Sequence, residues 1–293
     1  MKFVSSFGEV YPVMFICLIV VAGIHLRKGW ILLNIVAFTT FLTVWAKETV
    51  DYPRPVAVDS SLQSYGEEIT SKQLSHLQPK GFLDVFSSDL LNLTRTSDVG
   101  RYGFPSGHTS GQFAIWIGLA LLFRKKWLTI LAITFVLLTM LSRMYLGVHY
   151  LGDVLGGLIL GTMVTFPIYL FGSYLDGQHY SRSFIFGLLI LLPLLSLESS
   201  GNWQASLLLG LNCTYLMFNM SGQLKLSNST KHRALNSLVL IFIFLSGFTL
   251  VRALTKDLAT LIEGISMFLL GTGVFSFQLF LARKTKWIVR DDQ

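Results

Sequence analysis

Residues 142–153 read SRMYLGVHYLGD, a polar hinge between apolar runs at roughly 127–142 and 150–172. The runs bear on the fold, and the hinge raises the functional question of why Arg143, His149 and Asp153 stand at their edge. Apolar stretches of about 17–25 residues separated by short charged punctuation read as membrane-spanning helices. Outward from the hinge the pattern recurs at roughly 10–26, 30–46, 107–123, 183–198, 203–220, 235–253 and 258–282, which makes about nine helices. The 293-residue chain is 52% hydrophobic and 13% charged, with a mean hydropathy of +0.60. A soluble domain carries about 25% charged residues. The expected fold is therefore all-α, a polytopic transmembrane helical bundle.

A net charge of +7 raises nucleic acid as a partner, but the position of the charge argues against it. Arg27 and Lys28, Arg124 to Lys126, Arg182, Lys225, Lys231 and Arg233, and Arg283 to Arg290 follow alternate runs. With nine helices these clusters fall on one side of the bilayer, and excess Lys and Arg marks the cytoplasmic side. The N-terminus is then outside, with Lys2 against the trend, and the C-terminus inside. The first run lacks a basic leader and reads as a retained helix. Cys17 and Cys213 fall inside apolar runs and read as packing residues. The triplets NLT at 92–94 and NST at 228–230 match a glycosylation acceptor.

The long polar segment 47–106 interrupts the pattern. Loops of this length are often functional, and the topology puts this one on the outer face with the hinge. Within it Phe82, Val85, Phe86, Leu90 and Leu93 recur at helical spacing, which predicts a short amphipathic helix at the interface or capping the bundle. Gly152, Gly156, Gly157 and Gly161 offer small residues for close helix packing. Arg252 and Glu263, in or beside the last runs, read as a buried polar contact or as helix-end residues.

Three segments border the outer face: KETVDYPRP (47–55), YGFPSGHTSG (102–111) and the hinge. They supply Lys47, Arg54 and Arg143 as cations, His108 and His149 as titratable groups, and Asp153 as an acid. Arginine's planar fork and lysine's point charge suit phosphate oxygens. A helix starting at Ser106–Gly107 adds backbone N–H groups and a favourable dipole end, and Gly107 permits close approach. Of two histidines beside a phosphate, one can attack phosphorus while the other protonates the departing oxygen. Asp153, four residues after His149, can fix that imidazole's tautomer if both share a helix face. His108 lacks such a partner and suits the acid/base role. Two histidines and an acid could instead hold a metal, but three adjacent cations oppose one.

These segments resemble the type 2 phosphatidic-acid phosphatase superfamily, whose motifs K-x6-RP, PSGH and SR-x5-H-x3-D read here as Lys47 to Pro55, Pro105 to His108, and Ser142 to Asp153. The resemblance covers residues 30–172. It implies a metal-independent, cofactor-free enzyme on a six-helix core, with about three extra C-terminal helices here. It further implies that Lys47, Arg54, Arg143, Ser106 and the Gly107 N–H hold phosphate, and that His149 becomes the phosphohistidine. Asp153 would orient His149, and His108 would protonate the leaving group. The expected division is a phosphatase core at 1–182 and appended helices at 183–293. The expected function is hydrolysis of a lipid phosphomonoester or diphosphate on the extracytoplasmic face. Phosphatidic acid, isoprenyl diphosphate, phosphatidylglycerol phosphate and sphingoid-base phosphates all fit. A phosphotransferase and a non-catalytic head-group binder or transporter are the alternatives; the related vanadium haloperoxidases are soluble.

Overall fold

The computed structural model describes residues 10–58, 87–97, 100–174, 202–219, 224–255 and 260–290. The run at 183–198 lies outside them, as do Phe82, Val85 and Phe86. Among the described residues the chain is helical: α1 (Val10–Ile19) continued by a π-helical turn, α2 (Leu26–Val50), α3 (Ser88–Ser97), then α4 in three consecutive segments, Gly107–Gln112, π-helical Phe113–Ile117 and Gly118–Phe123. There follow α5 (Lys126–Tyr145), α6 (Leu151–Tyr174), α7 (Asn202–Asn219), α8 (Thr230–Thr255) and α9 (Thr260–Lys284). Five helical stretches among the described residues are long and apolar enough to cross a membrane: Leu26–Val58, Lys126–Tyr145, Leu151–Leu170, Thr230–Thr255 and Leu261–Lys284. The protein is an integral membrane protein with an all-α fold.

Helix α5 shows how such a sequence packs. Its buried stripe is Leu128, Ala132, Val136, Thr139 and Ser142, stepping by three and four residues, with Arg143 beside the last. Trp127, Ile130, Ile133, Leu137 and Leu141 face outward. Large apolar side chains outside, and inside a stripe mostly of small or polar ones, invert the water-soluble pattern, as a lipid environment requires.

The chain forms two compact units, one containing Leu42–Thr165 and the other Val10–Phe41 with Phe166–Gln293. In the first, α4 lies hard against α6. A Cβ at Gly156 would meet the Phe104 ring at 2.3 Å, one at Gly157 would meet Ser106 O at 2.5 Å, and one at Gly161 would meet Phe113 Cβ at 2.9 Å. Nothing lies within 4 Å of a Cβ at Gly152, so three of the four glycines in the repeat perform the packing. Gly157→Ala is expected to destabilise by about 1–3 kcal/mol through overpacking, with Gly152→Ala as the unaffected control. Thermal midpoints in detergent test this, and equal midpoints for both variants would refute the close approach.

In the second unit, α7 and α9 approach through Gly210, whose Cβ would lie 2.3 Å from Phe268 O. Asn34 and Asn212 exchange hydrogen bonds of 3.0 and 2.8 Å, so each buried amide is satisfied. Arg252 pairs with Glu263 and lies 5.1 Å over the Trp203 ring, the polar contact expected of two ionisable groups in apolar helices.

Two details differ from the sequence reading. The amphipathic helix is described over Ser88–Ser97; Leu90 and Thr94, one turn apart, are buried, while Leu93 is 44% exposed. Leu224–Leu226 (β1) and Ile288–Arg290 (β2) pair antiparallel. Three-residue strands are too short for any alternation of polarity to register.

Candidate active site

All eight sequence-predicted site residues belong to the unit containing Leu42–Thr165. They stand at the C-terminal ends of α2 and α5, at the N-terminal ends of α4 and α6, and in the joining loops. In the hinge, α5 ends in a Schellman motif: Gly147 (φ 69) donates its N–H to Met144 O at 3.0 Å, and Val148 donates to Arg143 O at 3.3 Å. Glycine takes this left-handed conformation at little cost. The reversal leaves Arg143 in the last turn of α5 and His149 just beyond it.

Helix α6 begins at Leu151, so His149 precedes it rather than occupying its first turn. The pairing with Asp153 forms nonetheless. Asp153 Oδ2 accepts the Tyr150 N–H at 2.8 Å and lies 3.3 Å from His149 Nδ1. The first of these contacts is half of a capping box, in which the third helical residue reaches back to the N-cap amide. The carboxylate is thus fixed by backbone before it meets the imidazole. Asp153 and His149 are each 4% exposed.

The same turn of α6 anchors α4. Ser106 donates its N–H to Asp153 O at 2.9 Å. Ser106 is the N-cap of α4, its hydroxyl accepting from Thr109 N at 3.5 Å and from Thr109 Oγ1 at 3.1 Å. Gly107 opens the helix, and a Cβ there would lie 3.5 Å from Lys47 Cε, so the lysine stem passes over the helix start. Thr43 and Ser110 join α2 to α4 through hydroxyls 2.8 Å apart. Lys47 donates Nζ–H to Tyr102 O at 2.6 Å. His108 lies within electrostatic range of Arg143, His149, Lys47 and Arg54. Burial pushes the His149 imidazole down to about 4; Lys47 and Arg143 act in the same direction, against the Asp153 hydrogen bond and charge. Its resting form at neutral pH is uncharged.

Sequence reasoning missed Asp51 and Arg101. Arg101 Nη2 donates to Asp51 Oδ2 at 2.7 Å and Nε to Oδ1 at 3.0 Å, tying the segment after α2 to the one before α4. Asp51 lies inside the segment 47–55 and Arg101 immediately before the segment 102–111, but a separation of fifty residues hid their pairing.

The PAP2 superfamily model matches residues 28–177, just over half of the chain. The chain belongs to the PAP2 superfamily. The match encloses all three motif segments, so the resemblance seen in the sequence is borne out. Within PAP2 relatives, the chain is 39% identical over 62 residues to the lipid A 4'-phosphatase of Bacteroides thetaiotaomicron. That stretch is 21% of this chain and 28% of the relative, so the chain spans under a third of that protein's length. No solved structure matches the chain.

Proposed function

We propose that this PAP2 protein is a lipid phosphate phosphatase that works through a phosphohistidine without a metal. The observation that carries the reading is the buried His149–Asp153 pair, 3.3 Å apart, beside three cations and a second histidine. Asp153 accepts a hydrogen bond from Nδ1–H, leaving the lone pair on Nε2 to attack phosphorus. As the Nε2–P bond forms, the bond from phosphorus to the bridging oxygen breaks, and His108, reacting in its protonated form, gives its proton to that departing oxygen and is left neutral. His108 then takes a proton from water, whose oxygen displaces the imidazole and releases inorganic phosphate. Lys47, Arg54, Arg143, Ser106 and the Gly107 N–H hold the equatorial oxygens through both steps.

A site at helix ends suits a substrate whose tail stays in the bilayer. Phosphatidic acid, isoprenyl diphosphate, phosphatidylglycerol phosphate and sphingoid-base phosphates fit, and the lipid A 4'-phosphatase relative adds lipid A. The charge distribution favours the extracytoplasmic face for this site and the cytoplasm for the C-terminus. Residues 1–182 form the phosphatase core in this reading, and 183–293 are appended helices without motif residues.

The test is phosphate release by detergent-purified protein from a panel of these lipids with EDTA present. Turnover that persists with the chelator is expected. Activity that EDTA abolishes and added metal restores would sink the metal-independent mechanism. Phosphoenzyme that forms but releases phosphate only when a lipid or sugar acceptor is supplied would make the protein a phosphotransferase.

A further inference from the structure

We infer that Asp51 and Arg101 form a positioning staple that sets Lys47 and Arg54 for the phosphate, an inference that rests on the phosphatase reading above. Asp51 closes α2, its N–H donating to Lys47 O at 2.9 Å, and stands three residues before Arg54. Its carboxylate is buried and held bidentately by Arg101, while Arg95 Nε of α3 lies 3.6 Å from Oδ2. Bidentate arginine–carboxylate pairs fix orientation as well as contributing energy. Here the pair joins two stretches of backbone with no regular ladder of their own.

Around the staple those stretches run side by side. Arg54 donates its N–H to Gly100 O at 2.8 Å, and Gly103 donates to Tyr52 O at 2.7 Å. A Cβ at Gly103 would lie 2.7 Å from Pro53 O, so the contact is closed to other side chains. Tyr102, next to Arg101, is held at φ 63, a conformation that bulky residues rarely adopt; its carbonyl receives Lys47 Nζ at 2.6 Å. Both cations of the first motif are therefore registered against residues 100–103, and the Asp51–Arg101 pair fixes that register. Asp51 also balances the charge of Arg95 and Arg101 on the loops that carry Lys47 and Arg54. Without it, like charges would push the loops apart.

The experiment compares Asp51→Asn and Arg101→Lys with wild type in kcat, KM, thermal midpoint and binding of inorganic phosphate followed by phosphorus NMR. Lysine keeps the charge but loses the fork, so Arg101→Lys tests the geometry even if Asp51→Asn fails to fold. Losing a charge-assisted hydrogen bond that sets phosphate-holding groups predicts a KM raised roughly tenfold in either variant, with phosphate binding weakened in proportion and kcat within about threefold. Because the effect passes through Lys47 and Arg54, Asp51→Asn in a Lys47→Ala/Arg54→Ala background is expected to cost less than about threefold more. Wild-type KM and phosphate affinity in the folded variants would overturn the staple while leaving the phosphatase reading intact. Full additivity with the Lys47→Ala/Arg54→Ala pair would also overturn it, since a merely structural role predicts the same cost in any background. Wild-type protein that neither binds phosphate nor releases it from any lipid would overturn the phosphatase reading, and the staple's role with it.

Discussion

His149→Ala is expected to release no phosphate above background and to retain no label from a phosphate-labelled substrate. Alanine removes the atom that forms the covalent bond, so the loss should reach at least about 10⁴-fold, the scale on which removing a catalytic nucleophile acts. The imidazole is buried, and its removal leaves Asp153 still anchored by the Tyr150 N–H, so the fold should survive. An unchanged elution profile in detergent checks that. The nucleophile must be uncharged, and burial holds the His149 imidazole down to about 4. Activity that depends on its neutral form is present above that value and is lost as pH falls through it. Once the substrate's own second ionisation is allowed for, the acid limb of kcat/KM set by His149 is expected near pH 4 rather than at the ordinary histidine value of about 6.5. Full turnover in His149→Ala, or labelled protein still trapped in it, would remove the assignment of the nucleophile.

Asp153→Asn should come second in size, at about 10³–10⁴-fold in kcat. The scale is that of the serine-protease triad, where asparagine in place of the orienting aspartate leaves the geometry intact but selects the wrong tautomer. Here the asparagine oxygen can still accept the Tyr150 N–H, which keeps the start of α6 capped. Its NH₂ would then face His149 Nδ1 and make that nitrogen the acceptor. The proton moves to Nε2, the atom proposed to attack. Stability should change by no more than about 1 kcal/mol, the cost of a weakened cap, while phosphoenzyme formation collapses. Wild-type kcat in a folded Asp153→Asn would show that the 3.3 Å contact serves structure alone.

The chain's own chemistry determined much of this. Hydropathy marked helices along the chain because a bilayer demands long apolar segments with their backbone hydrogen bonds satisfied internally. The spacing in SRMYLGVHYLGD identified Arg143, His149 and Asp153 because each step is local: a glycine terminator ends α5, and an acid three residues past the N-cap turns back onto α6. Short-range rules of this kind are written in consecutive residues and can be read from them. Even so, α6 starts two residues after His149, and the pairing arises from a cap rather than a shared helical face.

Tertiary structure alone decided what depends on segments far apart in the chain. Three of the four glycines at 152, 156, 157 and 161 pack closely because only their positions face Phe104, Ser106 and Phe113; spacing gives a periodicity but not the direction of a neighbour. Asp51 found Arg101 across the long polar loop because two irregular backbones meet there, and no local periodicity encodes such a meeting. Helices in a membrane follow from local hydrophobicity, whereas the register of the loops that carry the cations follows from which distant groups can satisfy one another's charge and hydrogen bonds once the helices have brought them together.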